Sequence, residues 1–510
     1  MKLAKKLLGT SLSKNMITSV ISRVVTLITG LIIQKEILVA FGSVLNGLTS
    51  SISQVMSYLI LLEAGLGTAS IQAMYAPLAD NDWGKISGIL SATKVQYKKI
   101  AGVFLLILLA VSAVLPLAVE GEVDYSIAAL LTLVTGGSYI ISYILGGKYK
   151  AILNSDRKIY VLHMLEIASV ILSCTLRILA LHLGAGIVIV QLINLATIGI
   201  KNIGYVVYVK RHYPKIDHKA PPDLNSTSKR KNVLVHSIAG VVVNHTDVMI
   251  LTLFASMSTV SVYSVYNLIF SQFSTLFQTT FSSAMQGSLG RLFNKEKSVF
   301  EKYFSIYETV FTIILFLIST IAIIMTLPFV SIYTSGVTDA NYIDFWLPVL
   351  FTVIMLMSLI RVPTVTIINV AGAFKETQRD AIFEAVINLG TSLALFFFTD
   401  LGMHGLLIGT IIAYIYRSTT SIWYTYKNII MRSISSLIRV ILVNAGTAVL
   451  LYLLLVVVAP VNVNSWIDWI LSACVVSIIC ITAFALTNIL FNNKEMRSIF
   501  GYVKTLFKKA

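Results

Sequence analysis

The chain has 510 residues, of which 56% are hydrophobic and only 12% are charged, and its formal net charge is +16. A soluble globular protein of this length needs more polar surface than this composition provides. The many long apolar runs instead predict an all-α integral membrane protein. The positive charge is spread over nearly all the polar connections on one side rather than gathered in one patch, so we expect no binding to nucleic acid.

Fourteen apolar stretches run along the chain, and each is long enough to cross a bilayer as a helix. In chain order they are residues 16–38, 45–74, 100–118, 126–147, 159–182, 187–209, 233–254, 259–287, 305–328, 346–369, 381–399, 405–425, 437–459 and 467–491. The first follows a basic segment, but it is longer than the apolar core of a signal peptide and lacks a convincing small-residue cleavage site. We therefore expect it to be a retained membrane anchor.

Positive charges lie almost entirely on one side of these stretches. Of the 39 Lys and Arg residues, 32 lie in the even-numbered connections and the two termini, and six lie within the apolar stretches. The remaining cation, Lys35, is next to Glu36 at the outer end of the first stretch and is counted with the odd-numbered connections, which otherwise contain no Lys or Arg. Cytoplasmic segments of membrane proteins carry such an excess of Lys and Arg. The sequence thus predicts a multi-pass protein with both termini in the cytoplasm.

Two parts of the chain are related by a shift of 218 residues. The shift superposes three pairs, which are Glu166 on Glu384, Leu183-Gly184 on Leu401-Gly402, and Arg157 on Lys375. The order and polarity of the apolar stretches match as well, as in the parallel repeats of alternating-access transporters. We therefore predict an N-terminal six-helix lobe at 1–209, a basic cytoplasmic linker at 210–232, a C-terminal six-helix lobe at 233–428, helices 13 and 14 at 429–492, and a cytoplasmic amphipathic tail at 493–510.

Several short motifs resemble those of a known transporter group. The motifs are Asn46-Gly47-Leu48, Tyr58, Glu63-Ala64-Gly65-Leu66-Gly67, Tyr75-Ala76-Pro77-Leu78, Asp247 and Val260-Ser261-Val262-Tyr263-Ser264-Val265-Tyr266. They are similar to segments of the bacterial polysaccharide flippases, the Wzx-like branch of the multidrug/oligosaccharidyl-lipid/polysaccharide exporter (MOP) superfamily. The resemblance covers essentially the whole chain, including the division into six, six and two helices.

This resemblance implies a function in the bacterial plasma membrane. The expected substrate is an undecaprenyl-diphosphate-linked oligosaccharide repeat unit, moved from the inner to the outer leaflet for surface polysaccharide synthesis. Its diphosphate-sugar headgroup would cross a cavity between the two lobes by alternating access, while its polyprenyl tail stays among the membrane lipids. A polysaccharide polymerase and glycosyltransferases are the protein partners that the resemblance suggests. No covalent bond changes, so we expect a transporter rather than an enzyme.

Six cations lie inside the apolar stretches, where a charge costs about 2.5–3.5 kcal/mol on insertion scales. Lys201 and Arg439 are near cytoplasmic ends and can reach the interface with their long side chains. The other four are candidates for substrate binding, namely Arg23, Arg177, Arg361 and Arg417. A guanidinium group stays charged and can donate two parallel hydrogen bonds to a phosphate. Structural ion pairs are the alternative explanation for these residues.

Four acids are candidates for coupling transport to a proton or sodium gradient, namely Glu63, Glu166, Asp247 and Glu384. Asp247 follows Asn244, His245 and Thr246, which makes this the most polar run in any apolar stretch. A carboxylate there needs a cationic partner, a proton or a metal ion. A buried ion pair that fixes helix packing is the alternative for Asp247, whereas Glu166 and Glu384 could simply favour helix N-termini.

Other functions remain open at this point. The chain has no GxxxxGK[ST] loop, no HExxH helix and no cluster of Cys and His, so we expect no cofactor or metal. A lipid II flippase fits the same features, and a drug/cation antiporter of the superfamily is a further alternative. From another class, a membrane glycosyltransferase or polysaccharide polymerase would need a larger outer loop than residues 329–345 provide.

Overall fold

The computed structural model describes residues 11–63, 66–224, 231–293, 297–458, 461 and 463–509. All regular secondary structure within them is helical, which confirms the predicted all-α class. The α-helices, numbered in chain order, are α1 Ser11–Leu59, α2 Leu66–Ala79, α3 Trp83–Ala118, α4 Tyr125–Ile141, α5 Gly147–Ser155, α6 Ile159–His182, α7 Ile187–His212, α8 Lys231–Phe254, α9 Met257–Phe293, α10 Lys297–Tyr333, α11 Trp346–Leu359, α12 Val362–Ala371, α13 Phe374–Phe398, α14 Met403–Tyr424, α15 Ser435–Tyr452, α16 Trp466–Phe491 and α17 Asn493–Lys509.

Ten helical stretches of the described residues are long and apolar enough to cross a membrane. The helix α6 begins and ends where the apolar stretch 159–182 was predicted, whereas α3 begins at Trp83, well before the predicted stretch 100–118. One stretch, Lys14–Glu63, contains the predicted span 16–38 and the first part of the predicted span 45–74, whose second part lies in α2. Helix α1 is interrupted at Gly42, where φ is 78°. Glycine adopts this backbone conformation easily, because it has no Cβ to clash with the chain. The chain is thus a multi-pass membrane protein, and the total of fourteen spans stays a prediction.

The first compact unit comprises Met1–Val265. Within it α1 packs against α6 and α8, and α4 and α6 both pack against α7. Polar side chains join α1 to α8, because Ser51 shares a hydrogen bond of 2.7 Å with Thr252. Packing therefore places α8 and the beginning of α9 with the first unit. The lobes at 1–209 and 233–428, which rest on the sequence repeat, stay a prediction.

The second compact unit comprises Tyr266–Ala510. Its α14 packs against α11 and α13, and α10 packs against α15 and α16. The last two helices of the membrane region are joined by paired amides, since Asn488 donates to Asn444 at 2.8 Å and Asn444 donates in return at 3.2 Å. The tail helix α17 contacts α10 and α16. This helix lies within the amphipathic tail predicted at 493–510, and the cytoplasmic position of that tail stays a prediction.

Helix breaks occur at matching places in the two units. The π-helical turn Ser142–Gly146 separates α4 from α5, and a shift of 218 carries it onto residues 360–364, where α11 ends and α12 begins. Gly184 and Gly402, one of the superposed pairs, both have a positive φ, of 78° and 50°. Such agreement is what a duplicated sequence would produce, because the same interruptions recur at the same spacing.

Candidate functional site

Two arginines, one half-buried and one buried, meet a buried glutamate in the second unit. Arg361 Nη1 lies 2.6 Å from Glu384 Oε1, and Arg417 Nε lies 3.4 Å from Glu384 Oε2. Asp380 is a weaker neighbour, 3.9 Å from Arg417 Nη1. The Arg361 guanidinium also lies over the Tyr414 ring, 5.2 Å from its centroid. We call Arg361, Asp380, Glu384 and Arg417 the arginine cluster.

The arginine cluster depends on a helix break and a close helix contact. Arg361 is the residue between α11 and α12, and Pro363 occupies the first turn of α12. Proline suits a first helical turn, where its missing N–H leaves no hydrogen bond unmade. Gly409 lets α14 approach α13 closely, because a Cβ there would lie 2.5 Å from the Ser392 nitrogen. This contact brings Arg417 within reach of Glu384.

Charges within the arginine cluster offset one another. The two guanidinium groups face the carboxylates of Glu384 and Asp380. Glu384 and Arg417 are only 7% and 9% exposed, so the pairs lie in a region of low dielectric where their interaction is strong. A sodium ion at Glu384 would have to displace a guanidinium group. The two arginines carry ten N–H groups between them, and most are left to donate to a further anion.

The first unit contains a second ion pair at related positions. Lys201 Nζ on α7 lies 2.8 Å from Glu166 Oε2 on α6, and Lys150 on α5 is close enough to interact electrostatically with Glu166, Glu63 and Lys201. Glu63 accepts a hydrogen bond of 2.6 Å from the Tyr97 hydroxyl. The structure thus groups two predicted acids, Glu63 and Glu166, with two lysines.

Two predicted cations lie elsewhere in the first unit. Arg23 on α1 is exposed and acts electrostatically on His163 of α6, which Glu166 also affects. Arg177 on α6 is 9% exposed. Within the described part of the chain Arg177 makes no ion pair, and its Nε has no hydrogen-bond acceptor. Neither residue joins the arginine cluster, which lies in the other unit.

Asp247 lies in a polar contact between α1, α8 and α9. It is 4% exposed and accepts a hydrogen bond of 3.2 Å from the Tyr263 hydroxyl. On the same helix, Thr246 shares a hydrogen bond of 3.1 Å with the Tyr58 hydroxyl, and His245 contacts the Gln54 amide. Within the polar run, Thr246 and His245 therefore contact α1 and Asp247 contacts α9, whereas Asn244 is exposed and donates to the Gly240 carbonyl of its own helix.

Three charged residues of these regions were missed from the sequence. Asp380 and Lys150 lie near the ends of apolar stretches and looked like ordinary interfacial charges. Glu308 is different, because it lies inside the predicted stretch 305–328 and is 6% exposed. The Tyr426 hydroxyl donates a hydrogen bond to its Oε2. Glu308 could have been found from the sequence, because an acid inside an apolar stretch is costly and indicates a structural or functional role.

Side chains suited to a metal ion do not gather anywhere in the described ranges. Among those residues no group of three or more His, Cys, Asp or Glu side chains could hold a metal ion. The three cysteines, Cys174, Cys474 and Cys480, are free thiols on different parts of α6 and α16. The chemistry that the grouped residues offer is therefore ion pairing and hydrogen bonding to charged groups.

No model of a known protein family matches the chain, and no curated protein matches it either. Solved structures do. A structure described as the lipid II flippase MurJ in an inward closed conformation is 15% identical, with a TM-score of 0.65, and the match covers 94% of this chain and 99% of that one. An inward-facing multidrug resistance MATE family transporter of the MOP superfamily is 14% identical, with a TM-score of 0.59. That match covers 80% of this chain and 98% of the transporter chain.

A MOP superfamily transporter from Pyrococcus furiosus, whose description notes a binding pocket of reverse polarity, is 14% identical. Its TM-score is 0.52, and the match covers 83% of this chain and 96% of that one. At such identities the likeness shows the fold alone. The chain has the fold of MOP superfamily transporters, as the sequence resemblance implied, and that prediction is confirmed. The Wzx-like branch stays a prediction.

Proposed function

We propose that the chain is a flippase that moves a polyprenyl-diphosphate-linked oligosaccharide across the bacterial plasma membrane by alternating access. The observation that carries the proposal is the arginine cluster, placed at a broken helix in a fold that transporters use. A diphosphate headgroup cannot enter hydrocarbon unaided, and guanidinium groups can bind it with charge-assisted hydrogen bonds. Arg361 and Arg417 would bind the diphosphate, while Glu384 and Asp380 hold the two side chains in place between transport cycles.

The extent of the structural likeness supports a lipid-linked substrate. The match to the lipid II flippase covers 94% of the chain, whereas the inward-facing MATE transporter covers 80%. The MATE match thus leaves a larger part of the chain unaccounted for. A lipid II flippase is accordingly the second candidate, and a drug/cation antiporter is the third.

A reconstitution experiment separates these candidates. The full chain is placed in proteoliposomes that contain a fluorescent undecaprenyl-diphosphate oligosaccharide, lipid II, or a lipophilic drug cation, and movement to the opposite leaflet is measured. We expect flipping of the oligosaccharide lipid and little movement of the drug cation. Efficient flipping of lipid II alone would favour the second candidate, and drug movement alone would contradict a lipid substrate.

The orientation of the chain is proposed from its charges and can be tested independently. Ser335, in the connection between α10 and α11, is exposed and would face outward, whereas the exposed Ser433, between α14 and α15, would face the cytoplasm. In a chain whose three native cysteines are replaced by serine, Ser335→Cys should react with an impermeant thiol reagent in intact cells. Ser433→Cys should react only after the cells are opened. If Ser433→Cys reacted in intact cells and Ser335→Cys did not, the proposal that both termini are cytoplasmic would be wrong.

A further inference from the structure

The segment 213–224 folds back over one end of the first unit. The backbone N–H of Asp217 donates to Ser87 Oγ at 2.9 Å, and the backbone N–H of Asp223 donates to the Gly88 carbonyl at 3.1 Å. At the start of the segment the Tyr213 hydroxyl donates to Asp156 at 2.5 Å. Three anchors fix this part of the predicted linker against α3 and the end of α5. His218 lies between the first anchor and the last.

A buried lysine lies beneath this segment. Lys148 on α5 is 9% exposed, and its Nζ lies 4.8 Å from the centroid of the neighbouring Tyr149 ring. In the described ranges Lys148 makes no ion pair and no hydrogen bond to an acceptor. A cation that loses most of its water costs free energy unless an anion or several acceptors replace that water. The face of an aromatic ring supplies only part of the replacement.

His218 approaches the same tyrosine from the folded segment. Its ring meets the Tyr149 ring edge to face, with centroids 6.3 Å apart. The Nδ1 atom of His218 is buried and has no hydrogen-bond partner among the described residues. Lys148 and His218 therefore share one aromatic neighbour, and each has a polar group whose bonding capacity is unused.

Two further lysines complete the group. Lys94 on α3 and Lys210 on α7 are exposed, and both are close enough to act electrostatically on Lys148 and on His218. The nearby acid that acts on His218 is Asp217, and no acid appears among the charges that act on Lys148. Burial lowers the pKa of His218, and the positive charges of Lys148, Lys210 and Lys94 lower it further against the opposing effect of Asp217.

We propose that Lys94, Lys148, Lys210 and His218 form a binding site for a phosphate group at this end of the first unit. The lysine charges on α3, α5 and α7 repel one another, and a bound anion would remove that repulsion, while the unpaired Nδ1 of His218 could donate a further hydrogen bond. A phosphate offers several acceptor oxygens, enough to receive bonds from ammonium groups on different helices. A phospholipid headgroup and the diphosphate of a lipid-linked substrate both present this chemistry.

The test measures binding of inorganic pyrophosphate to the full chain in phosphatidylcholine nanodiscs by isothermal titration. We expect Lys148→Gln to weaken binding by about tenfold and His218→Gln to weaken it by about threefold. The loss is larger for Lys148 because a charge-assisted hydrogen bond is stronger than a neutral one. Lys148→Arg keeps the charge and should bind within about threefold of the wild type. Lys98→Gln is the matched control, because Lys98 is exposed on the same helix as Lys94, one turn further on.

Two results would overturn the proposal. One is wild-type pyrophosphate affinity in both Lys148→Gln and His218→Gln, when each elutes as a folded monodisperse protein. The other is an equal loss of affinity in Lys98→Gln, which would mean that the lysines act only as general surface charge. Neither result bears on the arginine cluster, whose function is read from flipping rather than from pyrophosphate binding at this end.

A second arm identifies the source of the phosphate. The titration is repeated in nanodiscs in which one third of the lipid is phosphatidylglycerol. If that lipid occupies the site, wild-type affinity for pyrophosphate falls markedly, and Lys148→Gln shows no such fall. If wild-type affinity is the same in both nanodiscs, the site takes a soluble or substrate-borne diphosphate. Both results require the Lys148-dependent site and so support it.

Discussion

The two ion-pair regions have the same helical framework and different electrostatics. Glu166 and Lys201 connect α6 to α7 in the first unit, as Glu384 and Arg417 connect α13 to α14 in the second. The Glu166 side chain is 35% exposed, whereas that of Glu384 is 9% exposed. An exposed ion pair contributes little to stability, and a buried one depends strongly on both partners. Burial therefore makes the second region the more sensitive one.

A single position adds a further difference. The shift of 218 that relates the two parts of the chain carries Tyr143 onto Arg361. Tyr143 lies in the π-helical turn after α4, and Arg361 lies in the break between α11 and α12. A phenol in one unit thus corresponds to a guanidinium group in the other. The guanidinium group that we propose binds the headgroup therefore lies in the second unit, at a backbone break that both units share.

The largest expected effect separates the two regions by stability. Arg417→Gln should lower the free energy of unfolding by about 3 kcal/mol, the lower end of the range for a broken buried pair, because Arg361 still faces Glu384. Lys201→Gln should lower it by less than about 1 kcal/mol, since its partner is partly exposed. Chemical unfolding in mixed micelles measures both. Equal losses would show that burial does not distinguish the two pairs.

The next effect concerns the Tyr143 and Arg361 positions. Arg361→Tyr gives the second unit the residue of the first, and it should reduce headgroup flipping by at least about tenfold, or about 1.4 kcal/mol. Arg361→Lys should recover part of the activity, because it keeps the charge and loses the planar fork. Tyr143→Phe is the control and should change flipping by less than about twofold. Normal flipping by Arg361→Tyr would remove Arg361 from the proposed binding site.

A smaller effect is expected at Asp247, which belongs to the first unit and accepts a hydrogen bond from Tyr263. If a proton or sodium ion binds there, Asp247→Asn mimics the neutral form and should abolish the stimulation of flipping by an imposed gradient. Asp247→Glu keeps a titratable carboxyl group and should retain part of the stimulation. Proteoliposomes with imposed proton or sodium gradients measure this. If an imposed gradient stimulated flipping by Asp247→Asn as much as by the wild type, Asp247 would not be a coupling site. Its role would then be structural, as the acceptor of the Tyr263 hydrogen bond.

The smallest effect is a pH dependence at the end of the first unit. Burial and the neighbouring lysines lower the pKa of His218 in the folded chain. The unfolded chain then binds more protons than the folded chain as the pH falls below the ordinary histidine pKa, so His218 reduces stability there. In buffers without phosphate, His218→Gln should lose less thermal stability than the wild type between pH 8 and pH 5.5. Parallel losses in both proteins would contradict the lowered pKa.

Much of the site could be located from the sequence, although its pairings could not. Arg361, Glu384 and Arg417 were found as charges in an apolar stretch, where a charge needs a partner, whereas Asp380 was missed. Glu384 was interpreted as an ion-coupling carboxylate or a helix-terminal charge, and the structure places it between two arginines. Arg177 was grouped with Arg361 and Arg417, yet it lies in the other unit without an ion pair among the described residues.

The sequence by itself determined that the chain is a helical membrane protein, which segments are apolar enough to span a membrane, and which positions carry an unexplained charge. These properties follow from hydrophobicity and spacing, which are local along the chain. Only the tertiary structure decided that Arg361 and Arg417 share Glu384, that Asp247 faces Tyr263, and that His218 packs against Tyr149. The reason is physical: a helix fixes which face a side chain occupies, and the packing of distant helices decides what that face meets.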